Sequence, residues 1–144
     1  MNSLSYETRI AVSFGDVDPA RIVYYPIIFH YCHIALERFF AEAVGIPYAR
    51  LIAEERLGFP TVNVITDFSG TIKYGEEVRI VVAITRIGRS SVQFQYRGFN
   101  SSSGELYFTA LITTVAVDMD SFTPVPLPQK YRDSFARYQY RVDE

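Results

Sequence analysis

Cysteine occurs once in the 144 residues, at Cys32, so the chain cannot close a disulfide within itself. No apolar stretch approaches the roughly 20 residues that cross a bilayer as a helix, and no membrane span is expected. The opening residues, Met1-Asn2-Ser3-Leu4-Ser5-Tyr6-Glu7, have neither the basic nor the apolar region of a secretory signal. Together these absences point to a cytoplasmic chain. Basic residues show no excess: 14 Lys and Arg stand against 16 Asp and Glu, a formal net charge of −2. A general nucleic-acid binder carries a strong basic excess, so no nucleic-acid partner is expected. A small anionic ligand held by a few local arginines remains compatible with that charge. No repeat, low-complexity segment or linker interrupts the sequence, and residues 1–144 read as one domain.

What the chain has in quantity is apolar and aromatic side chains, at 49% and 15%. That is ample for a core and incompatible with disorder of the whole chain. A domain of this size still leaves much surface, so an apolar excess can cover a subunit interface.

Residues Tyr6 to Phe14 alternate, with Thr8, Ile10, Val12 and Phe14 on one face and Glu7 and Arg9 on the other, which predicts a short strand. Gly15 to Ala20 reads as loop, because the residue before Pro19 is biased away from helix. Pro26 suits the first turn of a helix, where its missing N–H costs nothing. From there Phe29, Cys32, Leu36, Phe39, Phe40 and Ala43 recur at helical spacing until Gly45 and Pro47 stop the helix. A shorter helical turn is expected over Tyr48 to Arg56. Strands are then expected over Thr61 to Ile72, around Val78 to Thr85, around Val92 to Arg97, and from about Glu105 to Asp118. Gly88-Arg89-Ser90-Ser91 and Asn100 to Gly104 supply the hairpin connections. Pro124, Pro126 and Pro128 are expected to exclude regular structure before a final helix over Gln129 to Tyr138. One long helix before a run of hairpin-linked strands implies an α+β fold: an antiparallel sheet with the helix against one face.

The strongest signal is Phe14-Gly15-Asp16-Val17-Asp18-Pro19-Ala20-Arg21-Ile22-Val23-Tyr24-Tyr25-Pro26. A carboxylate on a loop that leads into a helix can attack a carbonyl or activate water. The helix N-terminus offers free N–H groups and the positive end of its dipole to an oxyanion. Pro26 removes one such donor, which favours the amide of Tyr25. The pattern Gly-Asp-x-Asp-Pro-Ala, then Ile-Val-aromatic-Tyr-Pro, closely resembles the signature of 4-hydroxybenzoyl-CoA-type thioesterases. The resemblance continues more loosely through Gly58-Phe59-Pro60 and the later strands. It implies a hot-dog fold, in which one curved antiparallel sheet wraps a long helix, with dimers or tetramers that share sites. It also implies hydrolysis of an acyl-CoA thioester without a cofactor or metal.

By that resemblance Asp18 is the catalytic carboxylate, as nucleophile or as general base, and the Tyr25 backbone N–H is an oxyanion donor. Asp16 is expected to cap a turn or pair with Arg21. The coenzyme A phosphates call for cations. The resemblance places these at the hairpin after the second long strand, where Arg86, Arg89 and Ser90 stand. A further basic position of the relatives corresponds to Thr123, so this cluster is thinner. His30 and His33, three apart on the helix, could share a face, but no third metal ligand is indicated and packing is the expectation. Relatives often carry an acidic residue near Cys32-His33-Ile34, which leaves a catalytic part for a histidine open. Cys32 itself reads as a small core residue.

The leading expectation is an acyl-CoA thioesterase for an aromatic or short-to-medium acyl group, forming a homodimer or homotetramer. The alternatives are an acyl carrier protein thioesterase and a non-catalytic acyl-CoA-binding hot-dog protein. A hot-dog dehydratase or hydratase fits less well, because those families use a different His and acidic pattern in the helix.

Overall fold

A computed structural model describes residues 4–140. Strand β1 (Tyr6–Ala11) leads through a single 3-10 turn (Phe14–Asp16) and a short loop to helix α1 (Tyr25–Phe39), which ends in a π-type turn (Phe40–Val44). Helix α2 (Tyr48–Ala53) and strand β2 (Leu57–Gly58) follow, then β3 (Thr61–Phe68), β4 (Glu77–Ile87), β5 (Ser91–Asn100) and β6 (Leu106–Val115). Strands β7 (Val117–Asp118) and β8 (Thr123–Pro124) precede helix α3 (Gln129–Ala136). The main sheet has the order β1-β4-β5-β6-β3, with every pair antiparallel.

The helix starts where Pro26 predicts, with Tyr24 as its cap and Tyr25 as its first residue. It stops at Gly45, whose φ of 94° places it in the left-handed region that glycine enters without a Cβ penalty. Period-2 alternation sets the sheet. In β5, Val92, Phe94, Tyr96 and Gly98 are buried while Gln93, Gln95 and Arg97 lie half-exposed on the other side. In β4 both faces are covered, since Val81 and Ala83 are buried as well as Val78, Ile80, Val82 and Ile84. The inner face closes on α1 through edge-on ring contacts of Phe39 with Tyr6, Phe94 and Tyr138. Arg38 fastens the helix to β1 by donating to Thr8 Oγ1 at 2.8 Å and to the Arg9 carbonyl at 2.9 Å. Helix α3 seals one end by packing Phe135 against Phe40, Phe59 and Phe94. This α+β arrangement, a curved antiparallel sheet around one long helix, is the expected hot-dog fold.

Several expectations need correction. Strand β1 ends at Ala11, because the chain turns at Ser13 into the 3-10 segment, and Phe14 stands 76% exposed. The strand expected to reach Ile72 ends at Phe68. Its apolar residues Val62, Val64, Ile65 and Phe68 are exposed, on the edge strand of the sheet. The last long strand breaks at Ala116, and its end forms a separate three-stranded sheet in the order β2-β7-β8. Pro124 does take part in regular structure there, on an edge strand where no ladder N–H is required of it. The two short helices stop at Ala53 and Ala136, earlier than the sequence suggests. Among the described residues no helix is long and apolar enough to cross a membrane.

Candidate functional site

The Gly-Asp-x-Asp segment forms a small, tightly bonded loop between β1 and α1. Val17 bridges Val23, and Ile22 bridges Lys73. The Asp18 N–H donates to the Ile22 carbonyl at 3.0 Å, and the Arg21 N–H donates to the Asp18 carbonyl at 2.8 Å. The Val23 N–H reaches the Ile72 carbonyl at 2.8 Å, which fixes the loop to the segment entering β4. Arg21 takes a φ of 70° to complete this turn, a conformation that costs a side-chain-bearing residue about 1 kcal/mol or more.

Asp18 is half-buried. Its Oδ1 accepts the Ala20 N–H at 2.8 Å, the Asx-turn contact expected of an aspartate before a turn. Its Oδ2 accepts no hydrogen bond from the described residues. One oxygen therefore orients the carboxylate and the other is left for chemistry. The Tyr25 N–H, first in α1, has no intrahelical acceptor. Tyr24 caps the helix without a side-chain hydrogen bond. Pro26 has no N–H and the Ile27 N–H donates to the Tyr24 carbonyl at 3.0 Å, so the Tyr25 N–H is the donor of this turn left for a developing negative charge. Aromatic rings pair along the loop and the start of α1. Phe14 meets Tyr74 edge-on at 5.6 Å, Tyr25 meets Phe29 at 6.4 Å, and Phe29 meets Phe68 of β3 at 6.4 Å.

Asp16 caps a turn, as expected, through a 2.9 Å bond from the Ser13 N–H to its Oδ2. Its second partner is not Arg21 but Tyr31, whose hydroxyl donates to the same Oδ2 at 2.7 Å. Burial first, and Asp16 second, push the Tyr31 phenol well above its ordinary range.

The structure does not bring Arg86, Arg89 and Ser90 to Asp18 within one chain. The loop docks at Ile72–Lys73, just ahead of β4, whereas the hairpin follows the far end of that strand. At about 3.3 Å per residue, the length of β4 separates them by roughly 30 Å. Arg86 and Arg89 are exposed and Ser90 is half-buried. A third arginine joins them that the sequence did not reveal: Arg132 of α3 donates from Nη2 to the carbonyls of Gly88 at 2.9 Å and Arg89 at 3.1 Å. Thr123 sits on β8, with its hydroxyl 2.7 Å from Ser121 Oγ.

His30 and His33 are both exposed. The His33 ring is edge-on to Tyr48 at 5.7 Å, and its Nε2 lies 3.7 Å from Glu37 Oε1. It lines a cleft with Leu36, Tyr48, Pro60, Met119 and Phe122. Cys32 is a core residue at 1% exposure, and burial pushes its thiol up to about 12, which removes the thiolate a nucleophile needs.

Residues 12–135 match the thioesterase-like superfamily. The chain is 26% identical over 129 residues to a 1,4-dihydroxy-2-naphthoyl-CoA hydrolase of Synechococcus elongatus, covering 89% of this chain and 93% of that one. A 1,4-dihydroxy-2-naphthoyl-CoA thioesterase from Synechocystis superposes with a TM-score of 0.83 at 20% identity, covering 92% and 96% of the two chains. A 4-hydroxybenzoyl-CoA thioesterase variant complexed with 4-hydroxybenzoyl-CoA gives a TM-score of 0.83 at 23% identity, covering 91% and 98%. These likenesses carry the superfamily and the fold. They do not carry the narrower kinship with 4-hydroxybenzoyl-CoA enzymes that the loop suggests.

Proposed function

The chain belongs to the thioesterase-like superfamily, and on that premise we propose that it hydrolyses acyl-CoA thioesters with Asp18 as the catalytic carboxylate and the Tyr25 N–H as an oxyanion donor. The observation that supports the reading is a half-buried carboxylate, one oxygen tethered and one free, on the loop that leads into the unpartnered Tyr25 N–H of α1. Two routes lead to the same products. Asp18 takes a proton from water as the water attacks, or it attacks the carbonyl and water cleaves the resulting anhydride. In both, the C–S bond breaks, the acyl carbon gains oxygen, and coenzyme A leaves as its thiol. Water balances the reaction, so no cofactor or metal enters the proposal.

The acyl group we propose is aromatic. The rings of Phe14, Tyr25, Phe29, Phe68 and Tyr74 pair along the loop and the start of α1, and Tyr25 is 65% exposed. Aromatic faces favour a flat, apolar acyl group. The named relatives in Synechococcus elongatus and Synechocystis act on a bicyclic aryl-CoA. Thiol release across a panel of acyl-CoAs tests this. Aryl-CoAs such as hydroxybenzoyl- or dihydroxynaphthoyl-CoA are expected to exceed butyryl- and hexanoyl-CoA in kcat/KM, the quantity that measures discrimination. A preference for the straight chains would return these rings to a packing role and move the substrate to aliphatic thioesters.

The proposal includes a homodimer at the least, and a tetramer by the family resemblance. Edge strand β3 exposes Val62, Val64, Ile65 and Phe68, and an exposed apolar edge invites a second strand. A site shared between copies would allow Arg86, Arg89 and Ser90 of one copy to serve the Asp18 of another as phosphate-binding groups, which a single chain does not do.

A further inference from the structure

We propose that Tyr31 is a positioning residue for catalysis, holding the Asp18 loop in register with the helix that supplies the oxyanion donor; this rests on the Asp18 reading above. The Tyr31 hydroxyl and Asp16 are 15 positions apart in sequence, yet they form a 2.7 Å hydrogen bond. With a carboxylate as acceptor, such a bond is about twice as strong as a neutral one. Tyr31 is buried to 1% exposure inside the core cluster, between Ile28 and Ala35 on the inward face of α1. Its ring therefore cannot follow a loop that drifts. It stands six positions after Tyr25, about 9 Å of rigid helix.

At the other end of the bond, Asp16 stands two residues before Asp18. Its Oδ2 gathers both the Ser13 N–H and the Tyr31 hydroxyl. The remaining bonds of the loop run to its own backbone and to Ile72–Lys73, the entry to β4. Among the described residues the Tyr31–Asp16 bond is the side-chain hydrogen bond that ties the loop directly to α1. It thus sets the distance between the carboxylate on the loop and the N–H on the helix. That separation is what hydrolysis depends on, because the nucleophile and the oxyanion must meet one carbonyl carbon. The phenol keeps its proton well above its ordinary range, chiefly through burial, so it remains a donor throughout the working pH range.

The test is steady-state thiol release with the preferred aryl-CoA, on Tyr31→Phe, Asp16→Ala, Asp16→Asn, Tyr31→Phe/Asp16→Ala and Asp18→Asn. Assays run well below each variant's Tm, on the folded fraction. A displacement of about 1 Å costs up to 100-fold in rate, so Tyr31→Phe is expected to lower kcat by about 10- to 100-fold with KM changed less than about threefold. Asp16→Ala, which also frees the Ser13 N–H, is expected to fall at least as far, and the double variant no further than Asp16→Ala, because the Tyr31–Asp16 bond is already gone. Asp16→Asn keeps an oxygen acceptor for Tyr31 and should recover much of the kcat lost in Asp16→Ala, which a loss of packing would not do. Should Tyr31→Phe fail to fold, the Asp16→Ala and Asp16→Asn pair decides alone. A kcat for Tyr31→Phe within twofold of the parent, with Asp18→Asn inactive, overturns the positioning role and leaves the Asp18 reading standing. Equal kcat for Asp16→Ala and Asp16→Asn also overturns it. An active Asp18→Asn overturns the underlying reading instead.

Discussion

Gly98 of β5 lies opposite Phe108 of β6, in a row that runs on to Phe68 at the end of β3. A Cβ placed on Gly98 would lie 2.2 Å from Phe108 Cε1, 2.7 Å from Cζ and 2.8 Å from Cδ1. Phe108 is fully buried, so its ring has no open side to turn toward. Phe108 would have to move by more than 1 Å, or the strands would have to separate. Overpacking of a tight core typically costs 1–3 kcal/mol, and this contact, which involves three ring atoms, belongs near about 3 kcal/mol. For a domain of this size, each kcal/mol lowers Tm by roughly 2–4 °C, so Gly98→Ala should melt about 6–12 °C below the parent. Gly15→Ala is the control. Nothing lies within 4 Å of its added methyl, and its φ is not positive, so its cost should stay within about 0.5 kcal/mol. Urea unfolding with and without Phe108→Ala completes a double-mutant cycle. In the Phe108→Ala background most of the Gly98→Ala penalty should vanish. A penalty under about 0.5 kcal/mol for Gly98→Ala, or an equal penalty in both backgrounds, would refute the packing argument.

Two further outcomes are expected. Burial pushes the Cys32 thiol up to about 12 from an ordinary 9.0, so its contribution to stability is intact below pH 9 and is lost progressively as pH rises from 9 through 12. Between pH 8 and 10.5 the parent should lose about 2 kcal/mol more than Cys32→Ala, measured by urea unfolding at each pH; parallel losses would contradict the assignment of that burial. Val64→Lys/Ile65→Lys, on the exposed edge β3, should shift the chain toward monomer in analytical ultracentrifugation and lower kcat/KM with it, since edge lysines block strand pairing. A parent that is monomeric at micromolar concentration would remove the shared-site account.

The loop was legible in the sequence because its information is local. Asp18, Pro19 and Pro26 act within a few residues, so a carboxylate turn and a helix start could be read directly. The central strands were legible for the same reason: alternation in Val92–Tyr96 reports burial residue by residue, and in Val78–Ile84 apolar residues on both faces match a strand covered on both sides. The position of an element in the sheet is not local information. Val62, Val64, Ile65 and Phe68 have the apolar pattern of a core strand, and only the order β1-β4-β5-β6-β3 makes them an exposed edge. The same applies to contacts between distant residues. Nothing in the chain order indicates that Tyr31 reaches Asp16 or that Arg132 reaches the hairpin at Gly88 and Arg89. The β2-β7-β8 sheet escaped notice because two-residue strands have no period to detect.

The central claim, that Asp18 carries the hydrolysis, is tested most directly by thiol release from an aryl-CoA with Asp18→Asn. The substitution keeps the size of the side chain and an oxygen that can accept the Ala20 N–H, but removes the basic, nucleophilic oxygen. Losing a general base or nucleophile costs about 100-fold or more in turnover. The account predicts a kcat lowered by at least that factor, with acyl-CoA binding and Tm largely retained. A folded Asp18→Asn variant that turns over its substrate at near the parent rate would contradict it.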